Sequence, residues 1–259
     1  SSDTLGYVDQ CYNNQPTSGT ATPVVVAAGV AKTGINAALP KAGGISGMVT
    51  DAGGTHHGLA DVQVQVSSSS TGVWRYATTA ADGSYTVTGL PAGTDYSVWF
   101  DGSGASGGSS DAFGYAYQGF DNQTSLGTPT LVAVAAGVVR TGVNAAMLKA
   151  GAISGLVTDA GGTHHGLADV WVNVFSPSTG GAGSATTAAD GSYTVTGLYA
   201  GNDYQVCFYG SGASGGSSDA TGYIDQCYLN QPTSDTATPV AVTLGVAKTG
   251  INALLVGNP

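Results

Sequence analysis

The stretch ISGMVTDAGGTHHGLADV, from Ile45 to Val62, returns at Ile153 to Val170 with one change, Leu156 for Met48. ATTAADGSYTVTGL at Ala77 returns at Ala185, and GSGASGGSSDA at Gly102 returns at Gly210. The offset is 108 residues each time, with no gap. A fixed period decides the architecture before any local signal does. This period has the size of a whole domain rather than of a solenoid unit. The reading is therefore of tandem copies of one domain.

The front of the chain fits the same scheme. GYVDQCYNNQPTS at Gly6 matches GYIDQCYLNQPTS at Gly222, and AKTGINAAL at Ala31 matches AKTGINALL at Ala247. Residues 1–41 thus read as the later part of a repeat whose first part is absent. Two full copies are expected at 42–149 and 150–259. Because repeats are cyclic, a second register stays open, with domains at 1–108 and 109–216 and the remainder at 217–259.

Composition limits what each copy can be. All sixteen acidic residues are Asp, and only six residues are Lys or Arg. Glu, Lys and Arg favour helices, so their scarcity argues for strands. With 42 Gly among many Ser, Thr and Val, short strands and tight turns are expected. The net charge of −10 weighs against nucleic acid as a partner, which requires basic patches, and against anionic lipid. No apolar run reaches the roughly 18 residues of a membrane span.

Within a copy, Val62, Val64 and Val66 alternate with Gln63 and Gln65, which places the valines on one face. Trp74 to Thr79 reads as the next strand. Asp82-Gly83 marks a hairpin turn into Tyr85 and Val87. Pro91-Ala-Gly93 marks another turn, into the apolar face of Tyr96, Val98 and Phe100. A Gly/Ser loop at 102–110, the aromatic GYAYQGF, a strand at Leu131–Ala135 and a last strand at Gly142–Leu148 complete the copy. About seven or eight strands with turns every 8–12 residues predict an all-β fold of tandem Ig-like antiparallel β-sandwich domains. The joints LPKAGG at Leu39 and LKAGA at Leu148 are short and favour a semi-rigid string.

These residues resemble the carboxypeptidase-regulatory-like, transthyretin-like β-sandwich modules. The likeness rests on ISGLVTDAGGT…GLADV, ATTAADGSYTVTGLYAG, DYQVCFYG, GYIDQCYLNQP and TGINALL, and covers the whole chain. Its most specific part is Asp190, Gly191, Tyr193, Val195, Leu198 and Gly201 in the pattern D-G-x-Y-x-V-x-x-L-x-x-G. It implies a domain running from the ISG strand to the GINA strand. It also implies arrays of the kind found in secreted and surface proteins of bacteria, particularly actinobacteria, and kinship with the B-type repeats of surface adhesins. His56-His57 and His164-His165 depart from the family, which more often has a Pro-Leu type turn there.

The repeats act as internal controls for the cysteines. Cys207 stands where the first copy has Trp99, and Cys227 where it has Gly119. Paired gain is what a disulfide produces, so a Cys207–Cys227 bond is expected, against an alternative of buried thiols. A loop of about 20 residues closed this way stabilises by about 3 kcal/mol. It also places the chain in an oxidising, extracytoplasmic compartment. Cys11 is equivalent to Cys227, and its partner is expected outside the chain.

Candidate chemistry is sparse. Gly102, Gly104 and Gly107 satisfy G-x-G-x-x-G, but no helix follows to receive a phosphate. Gly104-Ala-Ser106-Gly-Gly108 fits G-x-S-x-G without the strand-to-helix elbow that pattern needs. His56, His57, His164 and His165, with Asp51 or Asp159 beside them, are weighed as metal ligands against a role as solvated turn residues. Asp111 and Asp219 are weighed as Ca²⁺ ligands against a plain loop. Lys32 and Lys248 stand near Asn36 and Asn252, as in isopeptide-forming adhesin modules, but the first copy has Arg140 there and Glu is absent. No cofactor is expected.

The aromatic residues Trp74, Trp99, Trp171, Tyr117 and Tyr228 stand out as a candidate binding surface. The function expected is non-enzymatic: a structural segment of an extracellular repeat protein, secreted or at the cell surface, serving as stalk, adhesin or filament. Val24–Val26 and Ile35–Leu39 have nothing in the chain left to cover them, so completion by an upstream repeat or a neighbouring chain is expected. The alternative is a carbohydrate-binding accessory array of a secreted hydrolase, with glycans as partners.

Overall fold

The computed structural model describes residues 4–16, 18–53, 56–109, 112–124, 126–161 and 164–259. Nine strands form the first sandwich: β1 (Gly43–Asp51), β2 (Gln63–Ser68), β3 (Val73–Thr78), β4 (Ser84–Leu90), β5 (Gly93–Asp101), β6 (Gln118–Gly119), β7 (Val132–Val134), β8 (Val139–Arg140) and β9 (Ala145–Met147). Nine more follow: β10 (Gly151–Asp159), β11 (Trp171–Phe175), β12 (Ala182–Thr186), β13 (Ser192–Leu198), β14 (Gly201–Tyr209), β15 (Gln226–Cys227), β16 (Val240–Val242), β17 (Ala247–Lys248) and β18 (Ala253–Leu255). Among the described residues the helical elements are three 3₁₀ turns, at Ser18–Thr20, Phe120–Asn122 and Ser234–Thr236. None is long and apolar enough to cross a membrane.

Each sandwich pairs a four-stranded and a five-stranded sheet. In the first, β4, β1 and β8 are neighbours and β9 also pairs with β1; β3, β2, β5 and β6 are neighbours and β7 pairs with β5. The second repeats this with β13, β10, β17 and β18, and with β12, β11, β14, β15 and β16. The period-two pattern of β2 explains the layering. Val64 and Val66 are fully buried, while Gln63 and Gln65 face outward. Val98 and Phe100 of β5 meet Tyr85 and Val87 of β4 in one core, and the second core is built from the same positions.

The end of each sandwich departs from the antiparallel expectation. The last strand expected at 142–148 is the short β9, and a two-residue strand, β8, comes ahead of it; both run parallel to β1. The chain leaves β7 in one sheet and crosses to the other, so it arrives alongside β1 in the same direction. Between β8 and β9 the backbone passes close to Gly47: a Cβ there would lie 2.0 Å from the Val143 carbonyl oxygen. Only glycine admits that approach. Tyr85 secures it by donating its phenol to the Val143 carbonyl at 2.6 Å, as Tyr193 does to Ile251. Asn144 and Asn252 pin the same crossing, each accepting from the amide of Met48 or Leu156 at 2.9 Å.

The joints are hydrogen-bonded on both sides. The Ala42 amide donates back to the Gly6 carbonyl at 3.0 Å, and the Ala42 carbonyl accepts from Gly137 of the next sandwich at 3.1 Å. Ala150 repeats this with Gly114 and Gly245, both at 3.0 Å. Both alanines are fully buried. The Leu5 side chain reaches Gly44 of β1, and the Phe113 carbonyl accepts from Gly197 at 3.3 Å.

Ahead of the first joint none of the described residues joins a sheet of either sandwich. Tyr7 bridges to Lys41 and Cys11 to Gln15, but residues 21–40 form no strand. Val25, Val26, Ile35 and Leu39 are exposed.

Candidate interaction surfaces

The turn that carries the histidines is organised by a buried carboxylate. Asp51 ends β1 and accepts from the Gly53 amide at 2.8 Å, the Ser109 amide at 2.9 Å and the Ser109 hydroxyl. Asp159 does the same with Gly161 and Ser217. Burial alone would push the Asp51 carboxyl up, but the Ser109 hydroxyl and the Gly53 and Ser109 amides together hold it below its ordinary value. Asp159 is lowered in the same way, burial again opposing the Ser217 and Gly161 donors.

These bonds explain the glycine motifs. Residues 102–109 fold back over the β1–β2 turn, and Ser106 exchanges two backbone hydrogen bonds with Ala60, both at 3.0 Å. The Ser106 hydroxyl donates to Asp61 at 2.9 Å. Gly104 and Gly107 therefore belong to a loop pinned against its own domain.

The histidines face outward from this turn. His56 and His164 have left-handed backbones, φ 52° and 55°, and each ring Nδ1 lies within hydrogen-bond distance of the carbonyl of Asp51 or Asp159, 3.1 and 2.9 Å away. His57 and His165 are exposed, and their carbonyls accept from the amides of Asp51 and Asp159. Asp219 accepts from the amides of Gly215 and Gly216, both at 2.9 Å. Asp111 lies outside the described residues. Among the described residues no three His, Cys, Asp or Glu side chains converge on one point.

Cys207 and Cys227 form a disulfide between β14 and β15, where they are directly paired. The first sandwich fills that place with Trp99, which is paired with Gly119. A Cβ on Gly119 would meet the Trp99 ring at 3.1 Å and Gln123 at 3.2 Å, so glycine leaves room for the indole. Trp99 in turn stacks on Tyr117, with centroids 5.3 Å apart and planes 6° off parallel. Cys11 is free and partly exposed.

Trp74 and Trp171 stand on the outer face of the five-stranded sheet of their own sandwich. On the outer side of the five-stranded sheet Tyr76 lies opposite Gln65, and Gln65 opposite Trp99, which makes a row across β3, β2 and β5. Trp74 stands one row along, opposite Ser67, and both Trp74 and Tyr76 are 56% exposed. The second sandwich presents a different set on the same face. Trp171 lies opposite Tyr209 with rings 5.0 Å apart, and Phe175 is exposed on the same strand. Tyr228 does not join them; it packs against the second core as Phe120 does against the first.

Tyr76, Phe175 and Tyr209 escape a reading of single positions. Their signal is the cross-strand register, which puts each beside an aromatic or polar residue of a neighbouring strand.

A groove of about 470 Å³ runs beside Trp74, lined by Ser67, Ser69, Asp95, Ser97 and Leu131. Asp95 accepts from Ser68, Ser69 and Ser70 at 2.6 to 3.0 Å, and the Ser68 hydroxyl foremost holds its carboxyl far below the ordinary range.

Residues 44–147 match the family model of the carboxypeptidase regulatory-like domain. Comparison with curated proteins finds no match. Among solved structures, the chain is similar to the minor pilin GBS52 of Streptococcus agalactiae at 13% identity, over 83% of this chain and 96% of that one, with a TM-score of 0.38. It is similar to a streptococcal ancillary pilin at 20% identity, over 94% and 68%, with a TM-score of 0.36. It is also similar to the Bacillus anthracis TIE protein at 11% identity and a TM-score of 0.29; the match covers 84% of this chain and spans about a third, 34%, of that protein. At these scores the overall arrangements differ, so the fold described above rests on the strands and registers of this chain.

Proposed function

With residues 44–147 matching the family model of the carboxypeptidase regulatory-like domain, we propose that this chain is a non-enzymatic structural segment of an extracellular repeat protein. Its modules lie at 42–149 and 150–259, and they serve length and attachment in a stalk, adhesin or filament. The observation that carries this reading is the doubly bonded joint. Ala42 and Ala150 each donate to the preceding part of the chain and accept from the following sandwich. A pull along the chain is resisted by hydrogen bonds on both sides of a buried residue, not by a loose linker. The polar side chains support it as well: Asp51, Asp95, Asp159 and Asp203 are engaged in holding their own turns.

The disulfide fits an oxidising location outside the cytoplasm. Immunogold labelling of intact source cells tests the placement. Label along surface structures is the expected result, and label confined to the cytoplasm contradicts it.

One observation favours a second reading, contact with glycans. Both sandwiches gather aromatics on the same outer face, and the groove beside Trp74 adds hydroxyls and a carboxylate to an aromatic wall. A glycan array probed with the chain and with Trp74→Ala separates the readings. Binding lost in the variant favours glycan contact; no binding in either leaves the structural reading alone.

A further inference from the structure

We infer that residues 4–41 are a docking segment for one partner: the first five strands of a further copy of this repeat, with Cys11 bonded to a cysteine at the position of Cys207. This rests on the structural reading above and names the partner of residues 4–41. The chain contains its own evidence, because this stretch has two counterparts at offsets of 108 and 216 residues, and both are covered.

Val26 is 64% exposed, while its counterparts Val134 and Val242 are 4% and 3% exposed. Leu39 is 46% exposed, while Met147 and Leu255 are fully buried. Tyr7 is 49% exposed, against 1% for Tyr115 and 2% for Tyr223. In both covered places the same surface lies over these residues: β1 to β5 in one sandwich, β10 to β14 in the other. The two intact sandwiches already fill their own surfaces, so neither is free to accept residues 4–41.

The register follows from the two examples. Val24–Val26 adds antiparallel to the fifth strand of the partner, as Val132–Val134 does to β5 and Val240–Val242 to β14. Ala31-Lys32 and Ala37–Leu39 add parallel to its first strand, as β8 and β9 do to β1. The Ile35 carbonyl takes the tyrosine hydroxyl that Val143 and Ile251 accept. Cys11 then stands where Cys227 stands, opposite the partner's fifth strand. A partner of the second-sandwich type offers a cysteine there, and the free thiol of Cys11 completes the bond. Bond formation oxidises two thiols to one disulfide and passes two electrons and two protons to an oxidant such as oxidised glutathione. An edge of unpaired backbone beside exposed valines is the chemistry of strand addition.

The test joins a second copy of residues 150–216 ahead of Ser1 in the full chain and refolds it in a glutathione redox buffer. The present chain has one free thiol; the extended chain is expected to have none, with the Cys11 peptide linked to a Cys207-type peptide in a non-reducing map. Amide exchange over 24–39 is expected to slow to the range of 132–147. The Cys11→Ser version is expected to keep that slow exchange, which separates strand docking from disulfide trapping. A free Cys11 with fast exchange over 24–39 overturns the inference. So does an added segment that stays unprotected while both downstream sandwiches remain folded. Surface labelling that failed would sink the extracellular reading and leave this docking result standing.

Discussion

Cys207 of β14 faces Cys227 of β15 and is bonded to it, at the place where the other sandwich sets the Trp99 ring against Gly119. One fold thus secures the same pair of strands in two ways, by a covalent bond and by a stacked aromatic. The difference is confined to one sandwich, which makes it measurable.

Replacing Cys207 and Cys227 by Ala is expected to destabilise the second sandwich by about 3 kcal/mol, from a closed loop of 20 residues. Calorimetry should show one transition moving to lower temperature while the other stays in place. Equal movement of both would contradict the assignment.

The bond should be portable. Trp99→Cys with Gly119→Cys places two cysteines in the register that Cys207 and Cys227 occupy. The expected outcome is a second disulfide, with the count of free thiols unchanged at the one of Cys11. Two additional reactive thiols would show that the strands of the first sandwich do not approach as described.

Tyr85→Phe leaves the buried Val143 carbonyl without its 2.6 Å donor. The expected cost is roughly 1–3 kcal/mol, the range for a buried group left unsatisfied. Tyr193→Phe should cost a similar amount in the second sandwich through Ile251. Denaturant unfolding of the two variants checks this, and no change in either midpoint would contradict it.

The buried carboxylates set an acid limit. Asp51 and Asp159 are held below the ordinary value of 3.8 in the folded chain, so each binds a proton more readily when unfolded. Their contribution is complete above that value and is lost as pH falls through the folded value. Asp51→Asn is expected to weaken the first sandwich at neutral pH and to flatten its loss of stability below about pH 4. An unchanged acid profile in the variant would contradict the role given to Ser109 and Gly53.

Much of this was legible in the residues themselves. The alternation of Val62, Val64 and Val66 marked a strand and its inner face, and the exchange of Trp99 and Gly119 for two cysteines marked the disulfide. The parallel strands β8 and β9 were not legible. Strands of two and three residues carry no measurable period, and their partner β1 lies roughly 95 residues away in sequence. The bond from Ser109 to Asp51 spans 58 residues and leaves a Gly/Ser loop looking unattached. The aromatic face was half legible. Trp74 and Trp171 stood out by substitution, but Tyr76 and Tyr209 join them only once the strands are in register, and Tyr228 belongs to the core.

The central claim is that these sandwiches are links in an extended extracellular structure. Electron microscopy of native material tests it most directly. The account predicts filaments or stalks whose axial repeat is the length of one sandwich. Dispersed compact particles with no such repeat would contradict it.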